Sequence, residues 1–126
     1  MLTTTGAFSG FSVDDQAAAL VFYRDTLGVE VVDNGMGLEL NLGGTTNVFV
    51  YPKDDHAPAT FTVLNFEVAD IDVAVDELKA AGVELLRYEG AHQDDKGIAR
   101  GKSSGYGPDI AWFTDPAGNV LSVLNG

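Results

Sequence analysis

The chain repeats itself. Phe11-Ser-Val-Asp-Asp15 is echoed by Phe66-Glu-Val-Ala-Asp70, and Leu27-Gly-Val-Glu30 by Ala81-Gly-Val-Glu84, an offset of about 55 residues in a chain of 126. Gly28 stands thirteen positions after Asp15, and Gly82 twelve after Asp70. An Asp ahead of an apolar-periodic stretch is a helix N-cap, here Asp14 or Asp15 in the first half and Asp70 in the second. The glycines terminate the helices as C′ residues. Ala18, Ala19, Phe22 and Tyr23 fall near helical spacing within Ala17–Leu27, and Ile71, Val75 and Leu78 within Ile71–Ala81. Each unit therefore reads as a strand, a helix and then three strands. Neither half buries its sheet face alone; together they can.

In order, the first unit offers strands over Ala7–Val13, Val29–Val32, Met36–Leu42 and Asn47–Tyr51, with turns at 33–35 and 43–46 and a stop at Pro52. The polar stretch around Lys53–Ala59 reads as a linker. The second unit offers strands over Val63–Val68 and Val83–Leu86. The organisation expected is one domain over 1–126, with modules at 7–51 and 61–124 joined by 52–60.

The second unit closes on Ile110-Ala-Trp-Phe113, then Asp115-Pro-Ala-Gly-Asn119, then Val120-Leu-Ser-Val123. Pro116 presets φ for a turn, and the Asp115 carboxylate can bond its own backbone two residues on. This is a hairpin with a loop of about five residues. Strand alternation puts Trp112 opposite Ala111 and Phe113. Ser122 is the one polar side chain of its strand.

Residues 87–108 break the repeat. This stretch is glycine-rich and holds Arg87, Lys96, Arg100 and Lys102, four of the seven basic residues. Long loops of this kind are usually functional or disordered. Lys102, Arg100 and Tyr106 suit a lid over an anionic or aromatic ligand, or a solvated loop. The glycines do not form a phosphate-binding fingerprint, because no strand leads into them and no helix follows. Asp72, Asp76 and Glu77 lie off the apolar stripe of their helix and read as solvated charge.

Composition excludes several chemistries. Cysteine is absent, which removes disulfides, thiol nucleophiles and thiolate metal sites. A net charge of −12 disfavours nucleic acid and anionic membranes as partners. No apolar run approaches the ~18 residues of a membrane span. The first residues show no signal peptide, and a cytoplasmic location is the expectation. His56 and His92 are the only histidines, both in polar loop sequence. His92 is of the residue type that commonly serves as a general base. Ser122 has no His or Lys at a short fixed spacing, which argues against a serine nucleophile.

These motifs together resemble the vicinal oxygen chelate superfamily, which includes glyoxalase I, extradiol dioxygenases, fosfomycin-inactivating enzymes and bleomycin-binding proteins. The signatures are Val13-Asp-Asp15, Phe22-Tyr23, Leu27-Gly28, Val68-Ala-Asp70, Ala80-Ala-Gly82 and Asp115-Pro-Ala-Gly-Asn119. The resemblance implies an α+β fold in which two βαβββ modules form a half-open, eight-stranded barrel around a cavity. It also implies metal ligands, His or Glu, on the first and last strands of each module. Counted residue by residue, those positions fall on Phe8, Val63, Ser122, and Phe49 or Tyr51. None replaces an imidazole or a carboxylate.

The expectation is a metal-free protein without a cofactor. It would bind a small, partly aromatic molecule through Phe8, Phe49, Tyr51, Val63, Asn65, Tyr106, Trp112 and Ser122, with the 87–108 loop closing over it. The same apolar residues equally suit a filled barrel. The alternative is an enzyme of the family, a lyase, isomerase or dioxygenase, with displaced ligands or acid–base groups such as His92, Tyr106 or Tyr51. A homodimer is a further possibility, since family members commonly pair their sheets.

Overall fold

The computed structural model describes residues 1–44 and 46–126. The turn expected at 43–46 includes Thr45, which lies outside the described residues. The chain forms two compact units, Met1–Pro58 and Ala59–Gly126.

The first unit contains β1 (Gly10–Val13), α1 (Gln16–Leu20), β2 (Glu30–Asp33), β3 (Leu38–Asn41) and β4 (Val48–Pro52), in the sheet order β1-β4-β3-β2. β1 runs parallel to β4, and the other pairs are antiparallel. Asp15 caps α1 by accepting from the Ala18 N–H at 3.0 Å. The single helix expected over Ala17–Leu27 is instead α1 followed by a π-helical segment, Val21–Thr26. Its wider turn shows in the bond from Leu27 N–H to Phe22 O, 2.9 Å long. Tyr23, within it, is fully buried against the rings of Phe11 and Phe22.

The strand expected from Ala7 begins only at Gly10. β4, its one partner among the described residues, starts at Val48, so the ladder ends at the bond from Phe49 N–H to Ser9 O. Phe8 therefore lies ahead of the sheet rather than on it.

The second unit repeats the plan with β5 (Thr62–Glu67), α2 (Ile71–Ala80), β6 (Ala99–Arg100), β7 (Asp109–Thr114) and β8 (Val120–Asn125), plus a one-turn helix α3 (Gly101–Ser104). The order is β5-β8-β7-β6, with β5 parallel to β8. Asp70 caps α2, accepting from the Val73 N–H at 3.2 Å. Both units are thus βαβββ modules of an α+β protein.

The strand expected at Val83–Leu86 does not form. That stretch gives β7 a bond from Leu86 N–H to Trp112 O, 2.8 Å long, while β6 pairs with Ile110 and Asp109 on β7. The second strand of the module, β6, therefore comes from inside the glycine-rich stretch.

Alternation sorts each sheet into two faces. Val13, Leu38, Leu40 and Val50 are fully buried, on the face where Phe11 meets Tyr23. Ser12, Glu39, Phe49 and Tyr51 take the other face. In the second unit Ala111, Phe113, Leu121 and Val123 form the core with Ile71, Val75 and Leu78 of α2. Their neighbours Trp112 and Ser122 point the opposite way.

Candidate functional site: the aromatic sheet faces

The residues singled out in the sequence fall into two groups, one within each unit. In the first, Phe49 and Tyr51 project from β4 two residues apart and stack, with centroids 5.8 Å apart and planes 20° from parallel. Phe49 also lines a cleft of 620 Å³ with Phe8, Met36, Glu39 and Asn47. Phe8 is 73% exposed and Met36 75%, so apolar surface there lies open.

In the second unit, register assembles a row across three strands. Asn65 on β5 and Trp112 on β7 both pair with Ser122 on β8. Residues so paired share one face. The Ser122 hydroxyl is fully buried and donates to Asn65 Oδ1 at 2.6 Å. Tyr88 extends the row beyond Trp112, its ring 5.2 Å away and nearly perpendicular at 82°.

Val63 stands beside this row but outside the ladder. The register shifts between Thr62 and Leu64, which pair with Val120 and Leu121, leaving Val63 as the extra residue of a bulge. Tyr106 follows α3 and is 92% exposed.

The metal expected of this fold does not fit these residues. Phe8, Val63 and Phe49 offer no donor atom, and Tyr51 and Ser122 offer only neutral hydroxyls, that of Ser122 bonded to Asn65, where a divalent ion needs imidazole or carboxylate. Among the described residues, no group of three or more His, Cys, Asp or Glu side chains converges to hold a metal.

Two features were missed in the sequence. His56, in polar loop sequence, has its Nδ1 2.6 Å from Ser12 Oγ on β1. The basic residues of the 87–108 stretch are anchored. Arg100 bonds both carboxylate oxygens of Asp72 and reaches Asp94, and Lys96 pairs with Asp72 and Asp76. Lys102 bonds the Asn125 side chain. Asp72 and Asp76 are thus paired rather than merely solvated. Sequence separations of 44 for Ser12–His56 and 28 for Asp72–Arg100 left no local signal for either.

The fold and these faces define a doubled βαβββ protein of the glyoxalase type. The family model of the Glyoxalase/Bleomycin resistance protein/Dioxygenase superfamily matches residues 7–123, and the chain belongs to that superfamily. A superfamily member from Sphaerobacter thermophilus is 25% identical, with a TM-score of 0.70 and full coverage of both chains. TnmS3, an antibiotic binding protein from Streptomyces sp. CB03234, is 20% identical over 99% of this chain and 98% of its own, with a TM-score of 0.66. The fosfomycin resistance protein FosX from Listeria monocytogenes is 14% identical over 99% and 95%, with a TM-score of 0.65. These last two share the fold. No curated protein matches the chain. No helix among the described residues is long and apolar enough to cross a membrane.

Proposed function

We propose that this protein binds a small, partly aromatic molecule on its aromatic sheet faces without a metal ion. One observation carries the reading. The positions that the resemblance assigns to metal ligands hold Phe8, Val63, Phe49 or Tyr51, and Ser122, and Ser122 spends its hydroxyl on Asn65. Rings and a neutral amide recognise an organic ligand by contact and hydrogen bonding, and give a cation no charged donor. The open cleft at Phe8 and Phe49 supports the reading, as does the antibiotic-binding role in the name of the structurally similar TnmS3.

The test is elemental analysis of the purified protein after exposure to divalent metals, together with a thermal-shift screen of aromatic small molecules with and without chelator. The reading expects substoichiometric metal and chelator-insensitive stabilisation by at least one aromatic compound. A metal bound one-to-one, or stabilisation that chelator abolishes, overturns it.

A further inference from the structure

The row Asn65–Ser122–Trp112 has a polarity that specifies its ligand. The Ser122 proton goes to Asn65 Oδ1, so the acceptor side of the amide is occupied. With the hydroxyl as donor, the amide turns its oxygen to Ser122 and leaves Asn65 Nδ2 with two N–H donors to offer. Asn65 is exposed, and neither its Nδ2 nor Trp112 Nε1 has a hydrogen-bond partner among the described residues. Among described residues that are not exposed, no buried side-chain nitrogen or oxygen lacks a partner, so the Trp112 indole N–H reaches the surface. Ser122 itself is sealed at 0% exposure. The row therefore presents donors on either side of Ser122, beside the right-angled corner made by Trp112 and Tyr88.

A complementary molecule is flat, to lie in that corner, and carries a hydrogen-bond acceptor. Its acceptor is uncharged. The chain bears a net charge of −12, and Glu67 stands two residues from Asn65 on the same face of β5. A carboxylate would meet repulsion there, whereas a ketone or amide oxygen meets none.

Resting on the binding reading above, we infer that the second unit's sheet face selects neutral aromatic carbonyl compounds. Asn65 supplies the donor, and Ser122 is the positioning residue that holds the amide donor-side out. The position the superfamily uses for a metal ligand serves here to orient a neighbour.

The experiment compares two neutral probes of like shape, acetonaphthone and ethylnaphthalene, by nuclear magnetic resonance titration of the intact chain. The resonances followed are the Asn65 side-chain amide and the Trp112 indole N–H. Both probes are expected to move the indole signal. Only the ketone is expected to move the Asn65 amide, and it is expected to bind about fivefold tighter. In Ser122→Ala the ketone's advantage over ethylnaphthalene shrinks towards unity, a pattern that mere loosening of the sheet, which weakens both probes alike, would not give. Asn65→Asp, on the exposed edge of the row, removes the donors and abolishes the advantage even if Ser122→Ala fails to fold. Equal binding of the two probes, or a ketone that leaves the Asn65 amide unmoved, overturns this inference and leaves the binding reading standing. If neither probe moves any resonance, this inference falls, and the thermal-shift screen decides the binding reading separately.

Discussion

The Arg100 guanidinium grips Asp72 with two parallel bonds, Nη1 to Oδ2 at 3.0 Å and Nη2 to Oδ1 at 2.8 Å, tying the glycine-rich stretch to α2. Its Nε reaches Asp94 at 2.9 Å, and Lys96 adds bridges to Asp72 and Asp76. The bond from Arg100, then that from Lys96, holds the Asp72 carboxyl far below its ordinary value of 3.8. Folding therefore lowers this pKa, and the network's stabilisation is whole above pH 3.8. It fades as acid protonates the folded carboxylate. Thermal melts between about pH 2 and pH 7 should show Asp72→Asn flattening the acid limb of the stability curve. An unchanged limb would mean that other carboxylates carry the acid sensitivity. Because the pair is partly solvated, the melting temperature near neutrality should drop more in low salt than in high salt.

Gly37 shapes the cleft in the first unit. A Cβ built there would stand 2.5 Å from the Val50 carbonyl oxygen and 2.8 Å from Phe49 Cζ. The ring can swing, but the carbonyl belongs to β4 and can move only with the strand. Gly37→Ala should cost about 1–3 kcal/mol, measured by urea unfolding. It should also shift the Phe49 ring out of its stack on Tyr51, visible in the aromatic resonances. A neutral result would show that the β3–β4 ladder gives way without cost.

The contact between Ser12 Oγ and His56 Nδ1 spans from β1 to the stretch after β4 and is part-buried. A double-mutant cycle with Ser12→Ala and His56→Ala isolates that contact from whatever else either side chain touches. A coupling of about 1 kcal/mol is expected. Strict additivity would show that the two groups meet without stabilising the fold.

What the sequence disclosed follows physical range. Caps, C′ glycines and turns depend on residues a few positions apart, so Asp15, Asp70, Gly28 and Gly82 were legible, and the two glycines take φ of +74° and +86°. The repeat revealed the modules because the same local devices recur at one offset. The second strand of the second module was not legible. Val83–Leu86 has the apolar, alternating look of a strand, yet the ladder on the β7 edge is formed by two residues, Ala99 and Arg100, too short a stretch to show any period. The widening of the first helix left no trace either, since Val21–Thr26 contains nothing that forbids an ordinary α-turn. The candidate site was legible as residue types. The row of Asn65, Ser122 and Trp112 was not, because it depends on register between strands whose residues lie as far as 57 apart in sequence.

The closing hairpin shows a local device that can be tested directly. Asp115 is buried at 4% exposure, and its Oδ1 accepts from the N–H groups of Ala117 and Asn119, each at 2.9 Å. Its Oδ2 accepts from Asn119 Nδ2 at 3.0 Å, and Asn119 is itself buried. Asp115→Ala strips three donors of this acceptor at once in a place water barely reaches. The cost should be about 2–4 kcal/mol, set by desolvated donors rather than by lost packing. Asp115→Asn keeps an oxygen for the two backbone donors but turns an amide towards Asn119 Nδ2, so it should recover about half. Because Val120 and Ser122 follow directly on β8, Asp115→Ala should also broaden the Trp112 indole resonance through the β7–β8 register. Equal losses in the two variants would show that the charge of Asp115, and not its geometry as an acceptor, organises the turn.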